Sequence, residues 1–149
     1  MTIKQKIHQL CVELVDQKVA MNQKAMTDAQ DAANKEQRST AGDKYDTSRA
    51  MSQNERDMFA RQLAESLQMK KALSAIDSSK ELKVAGIGAL VITASENYYL
   101  STGCGKLNLD SVSYFAVSPI TPIGQALLDK KAGDSFQLRG NAILIDEIL

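Results

Sequence analysis

The chain has no tryptophan, one histidine, two cysteines and two prolines in 149 residues, and aromatics make up only 5% of it. A lone histidine, His8, has no second histidine to work with, which argues against a zinc site or histidine-based catalysis. Cys11 and Cys104 share no short spacing, so they read as buried or half-buried thiols of a reducing compartment rather than as a disulfide framework. No serine triad signature is present. No phosphate-cradling glycine motif follows a strand, and the GIG and GCG triplets read as bulge and turn. Basic and acidic side chains both number 18, giving a formal net charge of zero. That excludes a generic nucleic-acid binder with a phosphate-neutralising excess, and no independent sequence-specific DNA binding is expected. No apolar run approaches the ~18 residues of a membrane span, and no apolar leader opens the chain. A cytoplasmic protein without membrane association is expected.

What is present divides in two. Residues 1–77 carry 12 basic and 11 acidic side chains, whereas residues 78–149 carry 6 and 7, together with both prolines and seven of the eight glycines. In the first half, apolar residues fall at Ile3, Ile7, Leu10 and Leu14, then shift by one to Val15, Val19, Asn22, Met26, Ala29 and Ala33. Alternating steps of four and three predict a coiled-coil seam with a local offset. A second helix is predicted through Met51, Met58, Phe59, Leu63, Leu67, Leu73 and Ile76. In both segments the seam residues are small near Gly42 and large away from it, the pattern of an antiparallel hairpin with its tip near residues 39–47. With a first helix of roughly 35 residues at ~1.5 Å each, the arm is about 50 Å long.

At the tip, Ser39 and Thr40 can close the first helix and Gly42 permits a left-handed φ. Asp43 can cap the second helix by accepting from the amide of Tyr45 or Asp46, and Asp46 adds negative charge to a positive helix end. A capping role and a functional role both fit the acid pair at this point. Lys35, Arg38, Lys44, Arg49 and Arg56 surround it, balanced by Glu36, Glu55 and Asp57, and Tyr45 is either a turn residue or a base-stacking group.

The second half reads as a small sheet with one helix. Strands are expected at Leu82–Ala94, bulged near Gly86 and Gly88, at Asn97–Thr102 after a short turn, and at Val112–Ser118, with Gly103–Lys106 as a turn. Thr121 caps a helix with Pro122 in its first turn, running to about Lys130. Gly133 releases the chain into SFQLR and, after Gly140, AILIDEIL. The fold class is therefore α+β: an N-terminal hairpin over 1–77, a linker at 78–81 and a mainly antiparallel sheet domain over 82–149.

The tip Gly42–Asp46, GDKYD, resembles the Gly-Asp-x-x-Glu tip motif of the bacterial Gre transcript-cleavage factors. The segment Ser118–Asp134, SPITPIGQALLDKKAGD, is similar to that family's serine-proline, short-helix, Leu-x-x-Lys-x-x-Gly-Asp signature, and Gly88–Thr93 resembles the opening strand of its FKBP-like domain. The resemblance implies an elongation factor whose partner is RNA polymerase. It implies that the globular domain docks at the rim of the polymerase secondary channel and the hairpin enters it. Asp43 and Asp46 would then be catalytic acids supplied to the polymerase active site, where they help hold a second, shared Mg²⁺ beside the RNA 3′ end. The chain would be an accessory factor without its own cofactor, stimulating the polymerase's cleavage of backtracked RNA. Hard oxygen ligands suit Mg²⁺ in a two-metal site, and acids three apart on a helix lie on one face.

Two departures accompany the resemblance. Asp46 stands where the family usually has Glu, and Thr47–Ala50 reads TSRA where the family has Asn-Ala-Glu-Tyr, placing Arg49 within reach of Asp46. A channel-binding regulator without cleavage activity, or a coiled-coil interaction protein unrelated to transcription, are the alternatives. Prolyl isomerase activity is not expected, because the alternation of Tyr98, Tyr99, Tyr114, Phe115 and Phe136 reads as core and sheet surface rather than a pocket.

Overall fold

Two long helices come first, and a computed structural model describes the backbone of residues 1–36 and 43–149 and the side chains of residues 1–35 and 50–149. Helix α1 (Ile3–Glu36) and helix α2 (Asp43–Ser74) are followed by β1 (Leu90–Thr93), β2 (Asn97–Leu100), β3 (Gly105–Leu109), β4 (Val112–Val117), α3 (Pro122–Leu127), β5 (Ser135–Leu138) and β6 (Asn141–Ile148). The architecture is α+β, as expected. Two compact units share the chain, one of Met1–Leu14 with Met69–Leu149, the other of Val15–Gln68. The start of α1 thus belongs with the end of α2, so the two helices run antiparallel. Among the described residues, no helix is long and apolar enough to cross a membrane.

In the first unit the six strands form one sheet in the order β3-β4-β2-β1-β6-β5. All neighbours are antiparallel except β2 and β4, which pair in parallel from Asn97 opposite Tyr114 to Leu100 opposite Val117. The β1–β2 turn is tied by Thr93, whose Oγ1 accepts from the amides of Ser95 and Glu96 and donates to the Glu96 carbonyl. Such local side-chain bonding is what lets a short Ser-Glu turn close without glycine.

The predicted strand over 82–94 forms only from Leu90. Gly88 takes φ +91°, outside the β region, and the preceding stretch contributes a single bridge between Val84 and Lys131. The expected turn at Gly103–Lys106 is half strand, since β3 starts at Gly105. Its hairpin to β4 closes through Asp110 and Ser111, with φ of 51° and 66°. Two left-handed residues in a two-residue loop match the right-handed twist of the strands.

The sheet is buried on both faces at its centre, because neighbouring β2 side chains point opposite ways. Tyr98 and Leu100 join a core with Val91, Leu127, Phe136, Ile145 and Ile148, against which Ile123 and Ala126 of α3 pack. Tyr99 faces the opposite way and is fully buried. The α3 helix begins as expected, with Thr121 Oγ1 accepting from the Gly124 amide at 3.2 Å and Pro122 in the first turn. It ends at Leu127, earlier than the predicted Lys130.

On α1 the expected line over Ile3, Leu10 and Leu14 is not the buried one. Ile3 is 49% exposed while Lys4 is 4% exposed, and the buried line runs Lys4, Ile7, Cys11 and Val15. Lys4 sits there because its methylene stem packs inward while its ammonium donates to the Lys80 carbonyl, close to Asp77 and Glu81. Burial lowers its pKa, and the two acids oppose that. Asp77 in turn accepts from the amide of Ser79 at 3.0 Å and from its hydroxyl, and these bonds hold its carboxyl below the usual range.

Candidate functional site: the helical pair of the second unit

In Val15–Gln68 the seam residues set the separation of the two helices. Val15, Ala29 and Ala33 are buried on α1, and Leu63 and Ser66 on α2. Leu67, expected on the seam, is 47% exposed, and Ser66 takes its place. The reason is a polar layer. Asn22 Nδ2 donates to Ser66 Oγ at 2.9 Å, and Ser66 Oγ donates to the Gln62 carbonyl at 2.9 Å. A hydrophobic seam of small side chains can slide, whereas a matched polar pair fits one register only, at a cost in stability. Asn22→Val with Ser66→Leu is therefore expected to raise the stability of the pair by about 1–2 kcal/mol, measured by urea unfolding.

Helix α2 opens at Asp43, so Asp43 and Asp46 both belong to its first turn, three residues apart on one helical stripe. Their side chains lie outside the described residues, as do Ser39, Thr40, Gly42, Arg38, Lys44, Tyr45 and Arg49. Of the expected basic surround, Lys35 is exposed in the last turn of α1, and Arg56 is paired with Asp57 at 2.6 Å.

Chemically, two carboxylates at a helix start offer anionic oxygen at a terminus whose dipole favours it. They suit Mg²⁺ by ligand type but supply too few of its six positions to hold it alone. Among the described residues, no group of three or more His, Cys, Asp or Glu could hold a metal.

The first unit holds two arrangements that sequence reasoning missed. Tyr98 stands between Phe115, with ring centroids 6.2 Å apart, and Phe136, edge-on at 6.1 Å. Tyr98 and Phe115 line a cavity of about 220 Å³ with Val117, Ile123, Leu138, Glu96 and Arg139. Alternation assigned these rings to core and surface. The cavity arises because the parallel β2–β4 pairing sets Tyr98 opposite Phe115, which periodicity within one strand cannot reveal. The Tyr98 hydroxyl donates to Glu96 Oε2 at 2.8 Å, and burial with that carboxylate pushes its pKa up.

His8 is the other. Its Nδ1 lies 2.7 Å from the Tyr99 hydroxyl, edge-on to the ring. Burial lowers its pKa below 6.5. Because the unfolded chain then takes up the proton first, the stability contributed by neutral His8 is complete above about pH 7 and is lost as pH falls through 6.5 toward the folded value. Urea unfolding followed from about pH 8 to about pH 5 is expected to show a steeper loss for the native chain than for His8→Gln, in which the carboxylates are unchanged.

No family model matches the chain, and no curated protein matches it. Solved structures do. One is described as the structure of the transcription factor Gfh1, 15% identical, with 92% of each chain covered and a TM-score of 0.38.

Proposed function

We propose that this chain is a Gre-type transcription factor that binds RNA polymerase and carries Asp43 and Asp46 through the secondary channel to the polymerase active site. The reading rests on the GDKYD motif at the opening of α2, whose first turn contains both Asp43 and Asp46. In this role a Mg²⁺ shared with the polymerase would supply Lewis-acid activation of the water that attacks the RNA phosphodiester. Asp43 and Asp46 supply carboxylate oxygens toward that ion, and the polymerase supplies the remaining ligands. The hairpin carries the acids, and the polymerase would complete the metal site. The sheet domain, with its SPITPIGQALLDKKAGD segment, is the part assigned to docking at the channel rim.

A second reading is a regulator that occupies the channel without promoting cleavage. It is favoured by the shorter Asp46 and by Arg49, three residues on, which competes with a cation for the carboxylate. Transcript cleavage on a backtracked elongation complex separates the two. Release of short 3′ RNA fragments supports the cleavage factor, whereas competition with a known cleavage factor and no new fragments supports the regulator. Absence of polymerase binding overturns both.

A further inference from the structure

The cavity of about 220 Å³ in the sheet unit has no part in the tip chemistry. Its apolar wall is made by Tyr98, Phe115, Val117, Ile123 and Leu138, and two charged side chains, Glu96 and Arg139, complete the lining. The wall is braced. Parallel pairing sets Tyr98 opposite Phe115, and Phe136, outside the lining, stands edge-on to the Tyr98 ring at 6.1 Å.

Both charged residues are held in place yet keep polar atoms to offer. The Glu96 amide donates to Thr93 Oγ1 at 3.0 Å, and its carbonyl accepts from the same hydroxyl. Its Oε2 accepts from the Tyr98 hydroxyl at 2.8 Å, and among the described residues its Oε1 has no hydrogen-bond partner. Arg139 opens the two-residue turn between Leu138 and Asn141, with a left-handed φ of 53°. Such a position favours Asn, Asp or Gly, so arginine stands there against its backbone preference. Among the described residues it makes no hydrogen bond or ion pair.

We propose that this cavity binds an apolar α-amino acid, with its carboxylate on Arg139, its nitrogen on Glu96 and its side chain against the Tyr98–Phe115 wall. The mixed lining selects this class. A purely cationic ligand meets the charge of Arg139, and a purely anionic one meets that of Glu96. A neutral apolar ligand strips water from both groups and replaces none of its hydrogen bonds. A ligand with a carboxylate and an N–H donor beside an apolar body satisfies both, and guanidinium grips a carboxylate through two parallel hydrogen bonds. Volume narrows the class further. A cavity of about 150 Å³ accepts benzene, whereas drug-sized ligands occupy about 300–1,000 Å³, so this one takes a branched aliphatic or single-ring body and excludes a nucleotide. The same chemistry is offered by a free amino acid and by the C-terminal residue of a polypeptide.

Saturation-transfer NMR and calorimetry on the purified chain test the proposal with L-leucine, N-acetyl-L-leucine, L-leucinamide and the doubly blocked N-acetyl-L-leucinamide. L-Leucine is expected to bind with a Kd of about 1 mM or tighter. Arg139→Gln is expected to weaken it by roughly tenfold or more, the usual loss for one charge-assisted contact. Glu96→Gln keeps an acceptor for Tyr98, and is expected to weaken L-leucine while sparing N-acetyl-L-leucine. Both side chains are exposed, so the melting temperature of each variant should stay within about 2 °C of the native chain. N-Acetyl-L-leucine binding as tightly as L-leucine identifies a polypeptide C-terminus as the source, and its failure beside L-leucine identifies the free amino acid. Three results overturn the proposal: either carboxyl-blocked compound binding as tightly as L-leucine, indifference of L-leucine to Arg139→Gln, or no binding up to about 10 mM of either free carboxylate.

Discussion

Replacing both tip acids, Asp43→Asn with Asp46→Asn, is expected to lower stimulated RNA cleavage by at least about 100-fold while leaving polymerase affinity within about twofold. The amides match the carboxylates in size but bring no negative charge, so under the cleavage reading a weakly held Mg²⁺ would lose two anionic ligands at once. The helix should survive the change. Asn serves as well as Asp at a helix start, and the lost dipole interaction is worth only about 0.3–1 kcal/mol. Circular dichroism with a transcript-cleavage assay therefore separates the two roles that the sequence leaves open for these residues. If the double variant melts lower and cleaves as well as the native chain, the acids are caps. Asp46→Glu sharpens the same experiment. The extra methylene extends the carboxylate by about 1.5 Å, and a displacement of that size is enough to change a positioned reaction by on the order of 100-fold. Under the cleavage reading it raises activity, and Arg49→Ala raises it further by removing a competing cation.

Why the helices were legible in the sequence while parts of the sheet were not follows from where each signal resides. A heptad seam is written in consecutive residues of one helix, so Val15, Ala29, Ala33 and Leu63 announce it. Polar residues on that seam are invisible to an apolar count. Lys4 and Ser66 are buried because of partners on the other side of a packed surface, the Lys80 carbonyl and Asn22. Skipping them pulled the expected line onto Ile3 and Leu67, which are exposed. The strand β3 was hidden for a different reason. Its hairpin turn uses Asp110 and Ser111 in left-handed conformations most strongly announced by Asn-Gly, so the local signal for a turn between two strands was weak. The cap of α3, by contrast, was legible at Thr121 and Pro122, since an N-cap hydroxyl and a first-turn proline act within four residues. Of the candidate site, the motif Asp43–Asp46 is a sequence feature and its helical placement a local one. The Tyr98–Phe115–Phe136 cluster depends on which strands become neighbours, and single-strand periodicity carries no information about that.

The largest stability effect in the sheet unit is expected at a helical glycine where alanine would ordinarily help. In α3, Gly124→Ala should gain up to about 1 kcal/mol from helix propensity alone. The structure reverses the sign. A Cβ at Gly124 would stand 2.1 Å from the Ser118 carbonyl oxygen and 2.8 Å from Pro119 Cα. Both are backbone atoms, and the Ser118 carbonyl is held in place from two directions, by the Thr121 amide at 3.2 Å and the Thr121 hydroxyl at 2.7 Å. Relief therefore requires α3 to move away from the Ser118–Thr121 turn, breaking the cap that starts it. It would also withdraw buried Leu127 from the core shared with Val91, Tyr98 and Ile145. The expected loss is about 3 kcal/mol or more, a fall of roughly 10 °C in melting temperature. Gly103→Ala is the matched control. Its Cβ would meet nothing within 4 Å and its φ lies outside the left-handed range, so it should leave the melting temperature nearly unchanged. Equal effects at the two positions would mean that backbone entropy dominates and the contact with Ser118 does not. A large loss at Gly124 alone identifies the serine-proline turn and the α3 helix as one packed element, whose shape depends on the absence of a single methyl group.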